Sequence, residues 1–268
     1  GMNEAQAQAI RTLRGPILVL AGAGTGKTRV ITHRITRLVR SGIQPDRIWG
    51  VTFTNKAAKE MRQRIGKMIG GDRDSSPLIS TFHSYCVRIL RRQIHHLGYP
   101  SSFPIYDAGD QDSLARRVLR SLRMPTTTLR PSDLLYFIGH WKSHGLRPDK
   151  AVQAAGSDRE HLAAAGYGRY QKALEQAGAV DFDDLLLCTM RVLSEFPAAC
   201  EEEADRFDHI LVDEYQDTNG PQYELVRHLS QGHQNLCVVG DDDQSIYAWR
   251  GADVSHILRF TQDWPDAV

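Results

Sequence analysis

The chain has 268 residues, of which 41% are hydrophobic and 24% are charged, and its formal net charge is +1. These values are typical of a globular protein with one large domain or two modest ones. No run of about 18 apolar residues and no signal peptide occurs, so we expect a cytoplasmic protein without a membrane span. The four cysteines form no C-x-x-C pair, which predicts buried, reduced thiols.

Short apolar segments alternate with amphipathic ones along most of the chain. Residues 17–20 are a continuous apolar run, as expected for a strand buried on both faces. A Gly-rich turn and a predicted helix follow; in this helix Ile31, Ile35 and Leu38 share one face, and Gly42 ends it. Further strands are predicted at residues 48–54, 78–81, 209–213 and 235–240, with helices between them. This alternation indicates an α/β fold with a parallel sheet.

Residues 107–180 break this alternation. They carry helical patterns at 113–122, 132–142 and 159–176, and no convincing strand. The sequence therefore predicts an α/β domain formed by residues 1–106 and 181–268, interrupted by a helical subdomain at 107–180. The basic residues Arg116, Arg117, Arg120 and Arg123 of that subdomain fit an ordinary solvated helix face.

A phosphate-binding loop is predicted after the first strand. Residues 21–28 (AGAGTGKT) match the P-loop pattern, with Ala21 in place of its first glycine. The backbone N–H groups of such a loop, here at Gly22, Ala23, Gly24, Thr25 and Gly26, cradle phosphate oxygens. Lys27 would reach the β- and γ-phosphates of ATP, and the Thr28 hydroxyl would ligate Mg²⁺.

An acidic pair follows the strand at 209–213. Asp213 would hold Mg²⁺, and Glu214 is placed to orient and deprotonate an attacking water. A surface acidic pair is the alternative, and the upstream P-loop weakens it. Gln244 follows another apolar strand and an acidic turn, where its amide would bond to the γ-phosphate or to the water.

Several sequence blocks together resemble the UvrD/Rep/PcrA helicases of superfamily 1. Besides the P-loop they are DEYQD at 213–217, VGDDDQSIYAWRGA at 239–252, VTFTNKAA at 51–58, STFHS at 80–84, and Asn3 with Gln6. The blocks extend from one end of the chain to the other in the family's order. The resemblance implies a RecA-like P-loop NTPase domain, the first motor domain of the family, with an inserted helical subdomain.

The same resemblance implies roles for individual residues. Gln6 would read adenine, Arg29 would contact nucleotide, and Gln244 and Arg250 would couple the γ-phosphate to DNA. Phe53, Tyr247 and Trp249 match positions where the family stacks bases on aromatic rings, and Thr54, Asn55 and His83 match nearby DNA contacts. The alternative for the aromatic residues is an ordinary place in the core.

The resemblance also implies an enzyme, an ATP-dependent DNA helicase that uses ATP and Mg²⁺. Its partners would be single-stranded DNA and duplex junctions, and its polarity 3′ to 5′. We expect the family's second motor domain to follow residue 268, so that this chain alone binds ATP but hydrolyses it poorly. A stand-alone nucleotide- and DNA-binding module is the second hypothesis. A P-loop kinase or small GTPase is a third, which leaves Tyr247 and Trp249 unexplained.

Overall fold

The structure, a computed structural model, describes residues 2–22, 24, 26–70, 76–241 and 255–268. The chain divides into two compact units, described here separately. Unit 1 comprises the described residues of Gly1–Tyr85, Cys200–Thr218 and Val226–Val268, and unit 2 comprises Cys86–Ala199 and Asn219–Leu225. Unit 2 thus begins before and ends after the predicted subdomain at 107–180, whose boundaries stay a prediction.

Seven strands and twelve helices are defined within the described residues. The strands are β1 Ile17–Ala21, β2 Ile48–Thr52, β3 Leu78–Thr81, β4 Ile105–Tyr106, β5 Val180–Asp181, β6 His209–Val212 and β7 Leu236–Asp241. The helices are α1 Glu4–Arg11, α2 Lys27–Arg40, α3 Asn55–Ile69, α4 Phe82–Gln93, α5 Ala108–Ser121, α6 Pro131–Ser143, α7 Pro148–Ala154, α8 Asp158–Gln176, α9 Phe182–Glu195, α10 Pro197–Ala204, α11 Gly220–Ser230 and α12 Ser255–Asp263. None of these helices is long and apolar enough to cross a membrane.

Unit 1 is built on a five-stranded sheet with the order β1-β7-β6-β2-β3. All four strand pairings are parallel; Val19 pairs with Val239, and Val51 with Val212. The strands are short runs of mostly β-branched and aliphatic residues, as is typical of strands buried on both faces. The predicted α/β fold with a parallel sheet is confirmed.

Helix α2 packs on this sheet through the face that its sequence pattern predicts. Ile31, Ile35 and Leu38 are fully buried and belong to the same core cluster as Val239 of β7. The helix ends at Arg40, and Gly42 follows with a φ of 100°, a conformation that glycine adopts without steric cost. One basic residue of α2 is buried rather than exposed to solvent. Arg34 is buried and donates to the carbonyls of Ala9 and Thr12, which holds the end of α1.

Unit 2 is mainly helical, and its core is formed by α5, α6 and α8. Leu114, Leu134, Ile138 and Tyr167 are among its buried residues. The expectation that residues 107–180 contain no strand is wrong at one end, because Val180 begins β5, which pairs in parallel with β4. Two-residue strands are too short to produce a detectable alternation in the sequence. All four cysteines are free, and Cys200 is half-buried whereas the other three are buried.

Candidate active site

The parallel sheet of unit 1 brings several predicted site residues to one edge. The predicted phosphate-binding loop follows β1, Asp241 ends β7, Asp213 follows β6, and Phe53 follows β2. These strands are neighbours in the order β1-β7-β6-β2, and their carboxyl ends share one edge of the sheet. In open α/β sheets this edge is where ligands bind.

Two described glycines of the loop after β1 have backbone conformations that suit the predicted phosphate cradle. Gly24 and Gly26 have φ values of 77° and 82°, in the left-handed region that glycine occupies freely. Gly26 is the N-cap of α2 and gives no side-chain hydrogen bond to the first N–H groups of that helix, an arrangement that suits an anion at the helix start. Ala23 and Thr25 lie outside the described residues, and Arg29 is exposed.

Lys27, the first residue of α2, makes an ion pair at the sheet edge. Its Nζ lies 3.0 Å from Oδ2 of Asp241, and the two side chains are 11% and 19% exposed. The ammonium group is therefore held above the ends of β1 and β7 by a carboxylate that is itself accessible to solvent. A phosphate oxygen is the kind of anion that can replace a carboxylate in such a pair.

Thr28 and Asp213 form the second contact across the edge. The Thr28 hydroxyl donates to Oδ2 of Asp213 over 3.2 Å, and the backbone N–H of Glu214 donates to Oδ1 over 2.9 Å. Asp213 is buried, and burial raises the pKa of its carboxyl above the ordinary value. A hydroxyl and a carboxylate oxygen are the hard donors that Mg²⁺ prefers, with phosphate and water completing its coordination. No group of three or more metal-ligating side chains occurs among the described residues.

Glu214 has an unusual backbone conformation. Its φ of 51° and ψ of 44° are left-handed, which is uncommon for a residue other than glycine, asparagine or aspartate. Such conformations concentrate at functional positions. Its carboxylate accepts a hydrogen bond from Nε2 of Gln216. The predicted base is thus held in a defined orientation at the end of β6.

Two polar residues of this edge had no role in the sequence prediction. Gln216 bonds to both Glu214 and the backbone N–H of Asp241, and Asp241 pairs with Lys27. Gln216 lies just after β6 and Asp241 lies at the end of β7, and these positions are the signal by which the sequence could have indicated them. Polar side chains at the carboxyl ends of neighbouring parallel strands are expected to meet.

Gln6 contacts Asn3, the other residue of its sequence block. It forms a capping box with Asn3: the Gln6 N–H donates to Oδ1 of Asn3 over 2.8 Å, and the Asn3 N–H donates to Oε1 of Gln6 over 3.0 Å. The Gln6 side chain is 8% exposed. Recognition of adenine by Gln6 stays a prediction. The oxygen of its side-chain amide already accepts a hydrogen bond in the cap of α1.

The predicted DNA-binding residues that the structure describes lie near the ends of β2 and β3. Phe53 is half-buried, and its ring packs edge-on against buried Phe82 at a centroid distance of 5.4 Å. Thr54 is the N-cap of α3, where its hydroxyl accepts from the Ala57 N–H over 3.1 Å. Asn55 is exposed, while His83 is half-buried and burial lowers its pKa.

The ring contact of Phe53 and the capping bond of Thr54 lie within this region and do not include Lys27 or Glu214. Four further predicted site residues, Gln244, Tyr247, Trp249 and Arg250, lie outside the described residues.

Comparisons with known proteins show which proteins the chain is similar to. The chain is 44% identical over 268 residues, its whole length, to the ATP-dependent DNA helicase PcrA of Bacillus subtilis (strain 168). It is 44% identical over 267 residues to the protein of the same name from Staphylococcus epidermidis, and 43% identical over 267 residues to that from Staphylococcus aureus. The chain spans 36% of the length of these relatives.

The UvrD/REP helicase N-terminal domain family matches residues 2–265, nearly the entire chain. The match includes the sheet of unit 1, the helices of unit 2 and every predicted site residue. The chain therefore belongs to the UvrD/REP helicase family and carries its N-terminal domain.

Proposed function

We propose that the chain is the ATP-binding motor domain of a DNA helicase that moves 3′ to 5′ along single-stranded DNA. The observation that carries this proposal is the meeting of Lys27, Thr28, Asp213 and Glu214 at the carboxyl edge of one parallel sheet. The names of the relatives support ATP and DNA as ligands. Because the chain spans 36% of those relatives, the activity belongs to the full-length protein.

The geometry suits a nucleoside triphosphate with its magnesium ion. When bound, the nucleotide would supply the phosphoanhydride bond, and the cation would neutralise the phosphate charge. Lys27 would exchange its contact with Asp241 for the β- and γ-phosphates. Thr28 and Asp213, whose oxygens are 3.2 Å apart, would hold the cation, directly or through water. The uncapped start of α2 adds backbone donors and a positive dipole end.

Glu214 would act as the general base for ATP hydrolysis. Its left-handed backbone and its bond from Gln216 fix the carboxylate next to Asp213, so that a water beside the γ-phosphate would lose its proton to Glu214. Gln244 would assist at the γ-phosphate. Removal of a general base costs about 10²–10⁴ in rate.

DNA would bind beside the nucleotide, along the ends of β2 and β3. Phe53 is half-buried rather than fully buried, which leaves part of its ring available for stacking on a base, worth about 1–3 kcal/mol. Asn55 and His83 would contact the strand, and Tyr247, Trp249 and Arg250 would complete the contacts. Duplex junctions would be the substrate for unwinding. A second motor domain of the full-length protein would supply arginines to the developing phosphate charge.

The test is ATP hydrolysis by the full-length protein, with and without single-stranded oligo(dT). We expect strong stimulation by DNA, a loss of about 10²–10⁴ in kcat for Glu214→Gln, and nearly unchanged ATP binding by that variant. Glu175→Gln, at an exposed position of α8, is the matched control and should behave as wild type.

Two results would overturn the proposal. Turnover by Glu214→Gln near the wild-type rate would remove Glu214 as the base. Binding of ATP and DNA without any DNA-stimulated turnover would instead indicate a nucleotide- and DNA-binding module. Strand displacement from duplexes with a 3′ or a 5′ single-stranded overhang tests the polarity.

A further inference from the structure

Gln216 lies on the short 3₁₀ turn Tyr215–Asp217, two residues after the proposed base. Its side-chain amide connects the ends of two strands. Nε2 donates to the carboxylate of Glu214, which follows β6, and Oε1 accepts from the backbone N–H of Asp241 over 3.0 Å, at the end of β7. We propose that Gln216 is a positioning residue that holds the Glu214 carboxylate in its orientation and couples that orientation to the position of the end of β7. This inference rests on the proposed role of Glu214.

The chemistry of the two partners fixes the orientation of the amide. An ionised carboxylate only accepts hydrogen bonds, and a backbone N–H only donates them. Only the NH₂ group can therefore face Glu214, and only the oxygen can face Asp241. No other side chain of this length offers a donor and an acceptor at its tip without carrying a charge.

The backbone of β7 approaches the turn closely at the position where Gln216 crosses. A Cβ atom placed on Gly240 would lie 3.3 Å from Oε1 of Gln216 and 3.6 Å from both the Gln216 N and the Tyr215 Cβ. The first of these distances is tighter than ordinary van der Waals contact. Tyr215, which begins the turn, is 1% exposed and packs edge-on against Phe260. The turn is thus anchored on one side and in contact with the β7 backbone on the other.

Gln216 closes a chain of contacts that includes both halves of the ATP site. From Lys27 the chain passes through the Asp241 carboxylate, the Asp241 N–H, Gln216 and the Glu214 carboxylate. From Glu214 it returns through Asp213 to Thr28, the neighbour of Lys27. A phosphate that replaces Asp241 at Lys27 would leave the bond from the Asp241 backbone N–H to Gln216 in place.

The end of β7 is also the point where the chain leads into the predicted DNA contacts. Asp241 directly precedes residues 242–250, which include Gln244, Tyr247 and Trp249. A shift of Asp241 caused by DNA would move Gln216 and, through it, the base. This predicts that Gln216 carries part of the stimulation of turnover by DNA, an effect that a purely structural residue would not have.

The experiment uses the full-length protein with two substitutions of similar length. Gln216→Met removes both hydrogen bonds, and Gln216→Glu keeps an acceptor for the Asp241 N–H but places a carboxylate against Glu214. We expect both to lower DNA-stimulated kcat about 10- to 100-fold, because small displacements of a catalytic group have effects of this size. The Kd for a fluorescent ATP analogue should change less than about 3-fold, since Gln216 makes none of the proposed contacts with the nucleotide. Gln176→Met, at an exposed position, is the matched control.

A double variant distinguishes positioning of the base from a general loss of structure. If Gln216 acts through Glu214, then Gln216→Met should lower the residual turnover of Glu214→Gln no further, because residues that act as a unit are not additive. An additive loss in the double variant would overturn the inference. So would kcat and DNA stimulation near wild type in Gln216→Met or Gln216→Glu.

The outcome separates this inference from the proposed function. If wild type shows DNA-stimulated turnover and Glu214→Gln abolishes it, the proposed function stands whatever Gln216 does. If Glu214→Gln keeps the wild-type rate, the base is misassigned, and the role of Gln216 falls with it. If Gln216→Met fails to fold, Gln216→Glu decides the question, since it retains the bond to Asp241.

Discussion

Each unit of the molecule contains a lysine–aspartate contact, and the two are built differently. In unit 2, Nζ of Lys142 lies 2.7 Å from Asp181 and 2.8 Å from Asp184, with the lysine side chain 0% and both aspartates 2% exposed. The hydroxyl of Tyr170 donates to Asp181 over 2.9 Å, and Gln171 donates to Asp184 over 3.1 Å. In unit 1, Lys27 and Asp241 are 11% and 19% exposed.

The surroundings of each contact determine what it can do. Burial alone would lower the pKa of Lys142, but Asp184 and Asp181 together raise it above the ordinary value, so the lysine stays charged. With its carboxylates already bonded to other side chains, this cluster has no accessible place for a ligand. Lys27 pairs with a carboxylate that solvent reaches, which permits exchange for a phosphate. The first contact holds α6, α8 and α9 together, and the second belongs to the proposed nucleotide site.

The largest effect on stability is expected from Lys142→Met. Removal of the lysine leaves two buried carboxylates without their cation, and breaking a buried pair in this way costs about 3–5 kcal/mol. Urea unfolding followed by circular dichroism measures the loss. Lys172→Met, at an exposed position of α8, is the control and should change stability by no more than about 0.5 kcal/mol.

Neutralising the carboxylates refines this prediction. Asp181→Asn and Asp184→Asn, added to Lys142→Met, remove the uncompensated charge and should recover part of the lost stability. The asparagines retain side-chain oxygens for the capping box that begins α9. A loss below about 1 kcal/mol in Lys142→Met would show that the cluster is no firmer than a surface pair.

The two contacts also differ in how far the sequence predicts them. The P-loop pattern predicts the role of Lys27, because a fixed local pattern determines the loop, the helix start and the lysine together. Lys142 lies at the end of a predicted helix, where a lysine is ordinarily solvated, and its partners are about 40 positions away. Periodicity finds helices and strands, but it contains no information about which distant side chains meet.

The same reasoning explains what was found and missed elsewhere. The strands of the sheet were predicted because they are continuous apolar runs, whereas β4 and β5 have two residues each. Asp213 and Glu214 form a local acidic pair in a chain that also has a P-loop, so the sequence predicts their roles. It predicts no role for Gln216, because the bond from Gln216 to Asp241 joins residues 25 positions apart. Arg34 escaped prediction since its partners are backbone carbonyls.

The second prediction concerns the buried histidine His209 of β6. Burial, and then the nearby charge of Arg34, lower the pKa of His209 to about 4. Below about pH 6.5 the unfolded chain takes up a proton at His209 that the folded chain does not take up until about pH 4. The unfolded state therefore binds more protons in this window, and the free energy of unfolding falls as the pH falls, by about 3 kcal/mol at most.

His209→Gln should lack this contribution. The stability of wild type, measured by urea unfolding between pH 7 and pH 4, should fall more steeply than that of the variant. His161→Gln, at an exposed position, is the control and should follow wild type. Parallel curves for wild type and His209→Gln would mean that His209 gains its proton in the folded protein as easily as in the unfolded one.

The third prediction tests Lys27 directly against Lys142. Lys27→Met breaks a partly exposed pair, so we expect a stability loss of about 1 kcal/mol, between the values for surface and buried pairs. Nucleotide binding should weaken about 10- to 100-fold, since a charged hydrogen-bonding group is lost from the phosphate site. Titration with a fluorescent ATP analogue measures this. A stability loss as large as that of Lys142→Met, with nucleotide affinity unchanged, would reverse the roles of the two lysines.

The smallest effect is expected at a third ion pair, which is the most exposed of the three. Arg47 bonds to Asp208 with Nη2 at 2.7 Å and Nε at 3.2 Å, and the side chains are 34% and 44% exposed. The hydrogen bond from Arg47 lowers the pKa of Asp208 below its ordinary value. Solvent screens such a pair, so Arg47→Ala should cost about 0.2–1 kcal/mol, and the cost should shrink as salt rises.

Urea unfolding of Arg47→Ala and wild type at low and high sodium chloride measures both quantities. The backbone bond from the Asp208 N–H to the Arg47 carbonyl, 2.8 Å long, does not depend on the side chain and should keep β2 and β6 in register in the variant. A salt-independent loss above about 2 kcal/mol would contradict the ordering of the three pairs by exposure. It would then be the packing of the arginine stem, rather than its charge, that stabilises this end of the sheet.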